Sequence, residues 1–405
     1  MRLSKLASGI AESPTFALNE EARVLRERGE AVINLGIGEP KNKTPMSAIL
    51  AGAARLTSGE VKYTPPDGLP SMKKAVIRYT EKHYDRLAAP ENVSITNGAK
   101  QSLFNIFYSI LNPGDEVIVL APYWVSYNQM IRMCMGVPII VTPEEATFTP
   151  RFEQIEQAVT SSTRAIIVNS PNNPSGAIYP PELIEKIVDL CEKNAIFIIC
   201  DDIYHMLTFD GNVAVPAYRF TKKDLEDSHI IVVNGVAKLY GMTGFRVGWT
   251  IAPRELARVM NNVLAQTTSC VSPVAQAAAE GALNGPQTVV EALRLHIQNN
   301  RDVVLRELRA FNGARLIEPC GTFYALPDIR AYAHNSVEVS QFLLKKAKVV
   351  TVPGKEFGME GHIRISFAGS VNDVSEGIAR IRWALDPASP TEIYIGDQKM
   401  VRDWV

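Results

Sequence analysis

No stretch of this chain approaches the roughly 18 uninterrupted apolar residues of a membrane span. Its most apolar runs, such as Ile166-Ile167-Val168, have the length of strands. Cysteine is scarce. Cys134, Cys191, Cys200, Cys270 and Cys320 are scattered, odd in number and form no Cys-x-x-Cys pair, so they read as reduced, mostly buried thiols of a cytoplasmic protein. A surplus of either charge is missing too. With 42 basic and 43 acidic residues the formal charge is -1, which removes any overall attraction for nucleic acid or anionic membranes and leaves a small molecule as the expected partner. Arg2 and Lys5 near the start are followed by no long apolar run before Glu12 and Ser13-Pro14, so a secretion signal is not expected. Gly36-Ile37-Gly38 lacks the third glycine of the dinucleotide fingerprint, Lys41 standing in its place. Neither a phosphate-loop Gly-Lys-Ser/Thr nor a His-Glu-x-x-His occurs, so no metal site is expected and a nicotinamide dehydrogenase has little support.

What the chain does have is length and order. Its 405 residues, 46% hydrophobic and 21% charged, suit a soluble protein of two lobes. Short β-branched runs at 93–96, 116–120, 139–141, 165–169, 196–201, 230–234 and 247–251 predict strands. Helical patterns separate most of them, which predicts an α/β fold with largely parallel pairing. From Pro286 to Phe311 a helical pattern runs through Val289, Leu293, His296, Val303, Val304 and Leu308 and is expected to bridge the lobes. Short strands beyond it, at 315–319, 321–326, 349–352 and 362–366, predict a smaller α+β domain that the N-terminal segment joins. The expected division is a large domain over 47–295 and a small one from 1–46 and 296–405. Residues 387–405 receive no function.

Several motifs fall at predicted strand ends, where ligands gather in open α/β sheets. Lys238 follows Ile230-Ile231-Val232-Val233 within Asn234-Gly235-Val236-Ala237-Lys238. Alone it reads as a solvated loop lysine, but Gly235, Ala237, Gly241 and Gly244 permit close backbone approach and Arg246 offers a planar anion clamp. Asp201 ends another apolar run and reads either as a helix cap or as the carboxylate that keeps a pyridine nitrogen protonated. Tyr204 reads as a packing tyrosine or as a partner of a ring hydroxyl. In Asn169-Ser170-Pro171-Asn172-Asn173-Pro174-Ser175-Gly176, turn chemistry explains much, yet Asn173 can donate to a ring oxygen. Thr96-Asn97-Gly98-Ala99-Lys100 leads a strand through a glycine turn into a helical pattern, either a plain connection or, with Arg246, an anion site. Trp124 is a core residue or a stacking surface for a flat ring.

In sequence order these motifs, with Gly38-Glu39-Pro40, Tyr63 and Gly68, and Arg364-Ile365-Ser366, closely resemble the class I/II aminotransferases of fold type I, particularly the prokaryotic aspartate aminotransferases. The likeness runs from about Ile33 to Ser366. It implies a large domain with a mostly parallel mixed sheet flanked by helices, a smaller α+β domain, and pyridoxal 5'-phosphate as cofactor. By the same resemblance Lys238 carries the cofactor as a Schiff base and later acts as the general base. Asp201 pairs with the pyridine nitrogen, Tyr204 and Asn173 bond the ring hydroxyl oxygen, and Trp124 stacks on the ring. Gly98, Ala99, Lys100 and Arg246 hold the phosphate, and Tyr63 reaches it from the neighbouring subunit of a homodimer with shared active sites. Arg364 clamps the substrate α-carboxylate, and Gly38, Trp124 and Asn173 line the substrate pocket. Ala237, Asp202, Phe245 and Cys270 depart from the commonest residues at their positions without removing a catalytic group.

The implied reaction is ping-pong transfer of an amine from an L-amino acid to a 2-oxo acid. No arginine lies between Leu264 and Gly281 to meet a second carboxylate, and some relatives lack one as well. Aspartate with 2-oxoglutarate is the first expectation, and aromatic amino acids or prephenate follow. A lyase of the same fold is an alternative. A non-catalytic, ligand-binding regulator is a more distant one, because the start of the chain has no room for an added DNA-binding segment.

Overall fold

The computed structural model describes residues 3–10, 14–144 and 147–404. Arg2, Glu12 and Ser13, which entered the reading of the N-terminus, lie outside them, as does residue 405 at the end of the 387–405 segment. In chain order the strands are β1 (Ile33–Asn34), β2 (Val93–Thr96), β3 (Glu116–Leu120), β4 (Val137–Val141), β5 (Thr163–Val168), β6 (Phe197–Asp201) and β7 (Ile230–Gly235). They continue with β8 (Gly248–Ile251), β9 (Tyr324–Ala325), β10 (Val349–Val350), β11 (Val352–Pro353), β12 (Ile363–Ser366), β13 (Glu392–Ile395) and β14 (Gln398–Val401).

Seven of these form one sheet in the order β2-β8-β7-β6-β5-β3-β4. Its central strands are apolar on both faces because helices cover both: Ile166, Ile198 and Val232 face one buried cluster while Ile167, Ile199 and Ile231 face another. Pairing is parallel from β4 to β7, whereas β8 runs antiparallel to both β7 and β2. The carboxyl ends of β2, β3, β5, β6 and β7 therefore open on one edge. The start of β8 returns to that same edge, and with it comes Arg246.

The helix Thr288–Arg309, about 33 Å long, buries Val290, Leu293, Ile297, Val303, Val304 and Leu308. Its apolar stripe thus runs through Val290 and Ile297, while the expected His296 is exposed. Beyond it β11, β12 and β9 form an antiparallel sheet, and β1 pairs in parallel with β10, joining the N-terminal segment to this part of the chain.

The expected strands here need correction. Residues 315–319 form no strand, only an isolated bridge from Arg315 to Asp328, since Glu318 turns to Arg301 and Pro319 carries no N–H. Of the run 321–326 only Tyr324–Ala325 forms a strand, Gly321 making an isolated bridge to Thr208. The run 349–352 splits at Thr351, whose hydroxyl turns to Ser340, so β10 and β11 belong to different sheets. Residues 387–404 end in the β13–β14 hairpin. Arg402 fastens it by donating to the backbone oxygens of Asp386 (2.8 Å) and Ser389 (3.0 Å). All five cysteines are free thiols, and no helix among the described residues is long and apolar enough to cross a membrane.

Candidate active site

A cavity of about 480 Å³ opens at the sheet edge where those strand ends meet. Every candidate residue except Tyr63 lines it: Gly38, Gly98, Ala99, Lys100, Trp124, Asn173, Asp201, Tyr204, Lys238, Arg246 and Arg364. Tyr63 lies elsewhere on the surface, 91% exposed.

Asp201 terminates β6, carried there by Ile198-Ile199-Cys200. The Tyr127 hydroxyl donates to its Oδ2 at 2.6 Å, and Asn169 holds its backbone oxygen at 2.7 Å. The other carboxylate oxygen, Oδ1, is buried without a partner among the described residues. Burial pushes this carboxyl up to about 6, against the pull of Tyr127, the Ile203 N–H and the Lys238 charge. Its neighbour Asp202 is pushed up to about 7, first by burial and then by the charge of Asp201.

Lys238 leaves the end of β7 and donates to the Gly38 carbonyl at 2.5 Å. Loss of solvent pulls its ammonium down to about 8, and the Arg364 charge adds to the effect. A lysine held near neutrality is suited to attack a carbonyl and to move protons. Burial of the Asp201 carboxylate and of the Lys238 ammonium thus acts in opposite senses on an acid and a base that face one cavity.

Opposite them the helix Ala99–Ile110 starts, with Leu103, Ile106 and Phe107 buried one turn apart. Gly98, Ala99 and Lys100 at its start line the cavity, and the free N–H groups of a helix start attract anions. Gly98 precedes it at φ +85°, and a Cβ there would lie 2.7 Å from Arg246 Nη2, so both the backbone angle and the space call for glycine. Arg246 is steadied by the Thr243 carbonyl at 2.9 Å. Lys100, lowered by loss of solvent and then by Arg246, places its ammonium 5.0 Å from the Trp124 ring centre. The helix start, Lys100 and Arg246 together make a cationic end to the cavity.

At the other end Arg364, on β12, is buried. It donates to Asn173 Oδ1 at 3.2 Å and to the Gly36 carbonyl at 2.8 Å, and its Nε has no partner among the described residues. Its guanidinium carbon lies 4.4 Å from the Tyr324 ring centre and 4.9 Å from that of Phe357. Tyr204 meets the Tyr324 hydroxyl at 3.4 Å. The arrangement offers an anion clamp at each end, with a lysine and an aspartate between them.

Among the lining residues that carried no role in the sequence reading are Tyr127, Glu39, Tyr324 and Phe357. Tyr127 was within reach, as the last residue of the aromatic segment Pro122-Tyr123-Trp124-Val125-Ser126-Tyr127. Glu39, which accepts from the Thr243 hydroxyl, stood in the quoted Gly38-Glu39-Pro40. Nothing local marks Tyr324 or Phe357.

The chain matches the family model described as aminotransferase class I and II over residues 30–381. It is 37% identical over 388 residues to the probable aspartate/prephenate aminotransferase of Thermus aquaticus, covering 95% of this chain and 99% of that protein. Identity to the aspartate aminotransferase of Streptomyces avermitilis is 37% over 398 residues, 96% of this chain and 97% of that protein. Among solved structures, Thermus thermophilus aspartate aminotransferase with maleate superposes with a TM-score of 0.89 at 36% identity, covering 94% of this chain and 99% of that one. The Rhizobium meliloti aspartate aminotransferase gives 0.90 at 33% identity, covering 94% and 98%.

Proposed function

This chain belongs to the class I and II aminotransferases, and from that premise we propose that it uses pyridoxal 5'-phosphate to move the amine of aspartate to 2-oxoglutarate. One observation carries the cofactor reading: Asp201, whose buried Oδ1 has no partner among the described residues, lines the same cavity as Lys238, whose ammonium burial pulls down to about 8. A carboxylate so placed fits a protonated pyridine nitrogen, and a lysine of lowered basicity fits an aldehyde. The cationic end suits a phosphate. Pyridoxal phosphate supplies an aldehyde for linkage to amines and a ring that accepts the electrons released at the substrate α-carbon.

Lys238 holds the cofactor and then carries the proton from the substrate α-carbon. Asp201 keeps the ring nitrogen protonated, with Tyr127 fixing its angle. Tyr204 and Asn173 would serve the ring hydroxyl, and Trp124 would offer the ring a stacking surface. Gly98, Ala99, Lys100 and Arg246 hold the phosphate. Arg364 takes the α-carboxylate, with Gly38, Trp124 and Asn173 around the substrate. Aspartate is favoured because relatives across nearly the whole chain carry that name; prephenate, named beside it in the Thermus aquaticus relative, is the second reading.

The same proposal includes a cytoplasmic homodimer with lobes at 47–295 and at 1–46 with 296–405, the pairing of β1 with β10 supporting that division. Tyr63 then serves the partner's phosphate. Exposure of Met46, Leu50 and Leu56 on the nearby helix Met46–Thr57 supports a covered face there. The test is a panel of amino donors with 2-oxoglutarate. Glutamate formed from aspartate supports transfer, whereas free ammonia or loss of the donor side chain identifies a lyase.

A further inference from the structure

We propose that Tyr324 is a positioning residue of the reaction, its ring steadying Arg364 and its hydroxyl steadying Tyr204. The proposal rests on the cofactor reading above. Tyr324 lies on β9, pairs with Ser366 on β12 and is 1% exposed. Its ring centre is 4.4 Å from the guanidinium carbon of Arg364, so a buried cation sits against an aromatic ring. Its hydroxyl reaches Tyr204 at 3.4 Å, crossing from the small antiparallel sheet to the segment that follows β6 in the large one.

The same hydroxyl packs against the Gly38 backbone, where an added Cβ would lie 2.4 Å away, and the carbonyl of Gly38 accepts from Lys238. One side chain thus touches the clamp, the tyrosine assigned to the ring oxygen and the loop that holds the lysine. A phenylalanine would fill the same space. A buried hydroxyl costs desolvation unless it finds a partner, and Tyr204 is the partner this one has. The pair is longer than a settled O–H···O bond, as catalytic hydrogen bonds often are before a ligand draws them tight.

Either hydroxyl of the pair can donate; with the Tyr204 proton given to the ring oxygen of a bound cofactor, Tyr324 would donate to the Tyr204 oxygen and strengthen Tyr204 as a donor. A better donor lowers that oxygen's hold on a proton. Asp201, Lys238 and Arg364 are the charged groups that face Tyr204, and Tyr324→Phe changes none of them.

Two variants, each loaded with pyridoxal phosphate, separate the parts. The visible band of the Lys238-bound cofactor is titrated with pH, and KM and kcat are measured for aspartate and 2-oxoglutarate. Tyr324→Phe is expected to raise the midpoint of the titration by roughly 0.2–0.5 unit and to leave KM within about twofold, since the ring over Arg364 remains. Tyr324→Leu is expected to raise KM for both substrates by about tenfold with cofactor content unchanged. An unmoved midpoint in Tyr324→Phe overturns the hydroxyl link, and equal KM values in the two variants overturn the ring's role. If wild-type protein shows no Lys238-dependent band, the cofactor reading falls and this inference with it. A band that is present but unmoved sinks this inference alone.

Discussion

Tyr127 and Asp201 stand 2.6 Å apart, the phenol donating to one carboxylate oxygen and leaving the other buried with no partner among the described residues. The bond joins a helix start to a strand end and fixes the carboxylate in a residue that lines the cavity. Burial has a cost in the cofactor-free protein, because a buried carboxylate prefers its proton.

That cost sets a pH dependence. The Asp201 carboxyl titrates near 6 in the fold, above its ordinary 3.8. The folded chain therefore binds the proton more tightly than the unfolded chain, and stability falls as pH rises from about 4 through about 6 and stays lower above that. Asp201→Asn keeps the shape and removes the charge. In the cofactor-free protein it should be more stable than wild type above pH 6, by on the order of 3 kcal/mol, and equal to it near pH 4. The same variant should lose transamination by at least about 100-fold. Urea unfolding at pH 4 and pH 8 measures the first effect. A variant no more stable than wild type at pH 8 would show that Asp201 carries no burial penalty.

Lys238→Ala should remove the yellow colour and lower transamination by at least about 1,000-fold. Among the candidate residues only Lys238 both reaches the Gly38 carbonyl and lies across from Asp201. An absorption spectrum and a single-turnover assay suffice, and retained colour together with retained activity would remove Lys238 from the mechanism.

Arg364→Lys replaces a planar fork, held by Asn173 and the Gly36 carbonyl, with a point charge that cannot grip a carboxylate at two oxygens. KM for every amino and 2-oxo acid should rise by a similar factor, about 10- to 100-fold, at constant cofactor content. Losses confined to dicarboxylates would mean that Arg364 reads the side chain instead.

Tyr63→Asp and Lys238→Ala homodimers should each be nearly inactive if the sites are shared. A hybrid dimer then contains one site with both defects and one with neither, so activity should return on co-refolding to about half per hybrid. Hybrids confirmed by mass spectrometry yet inactive would place Tyr63 within its own subunit or away from the site.

The large sheet was legible because strands buried on both faces are apolar throughout, and Ile166-Ile167-Val168 or Ile230-Ile231-Val232-Val233 admit few other readings. The lysine, asparagine and aspartate motifs were legible for a related reason: each sits where such a strand ends. The smaller part was harder. Its strands are short and its pairing is set by single side chains, as when Thr351 turns to Ser340 and splits one apolar run between two sheets. The β13–β14 hairpin escaped notice although Gly396-Asp397 between alternating runs is a hairpin signal. Tyr324 and Phe357 had no signal at all, since their partner Arg364 is reached only through tertiary packing.

The bond from Arg364 to the Gly36 carbonyl spans 328 positions of sequence. Lys238, Asp201, the glycine turn and Arg246 are all made long before Arg364 leaves the ribosome. A growing chain therefore acquires every residue assigned to the cofactor while the grip on the substrate carboxylate is still unmade, and a fragment that stops short of β12 lacks that grip entirely. On the proposed roles, synthesis supplies the residues of the cofactor site before it supplies the arginine for the substrate carboxylate.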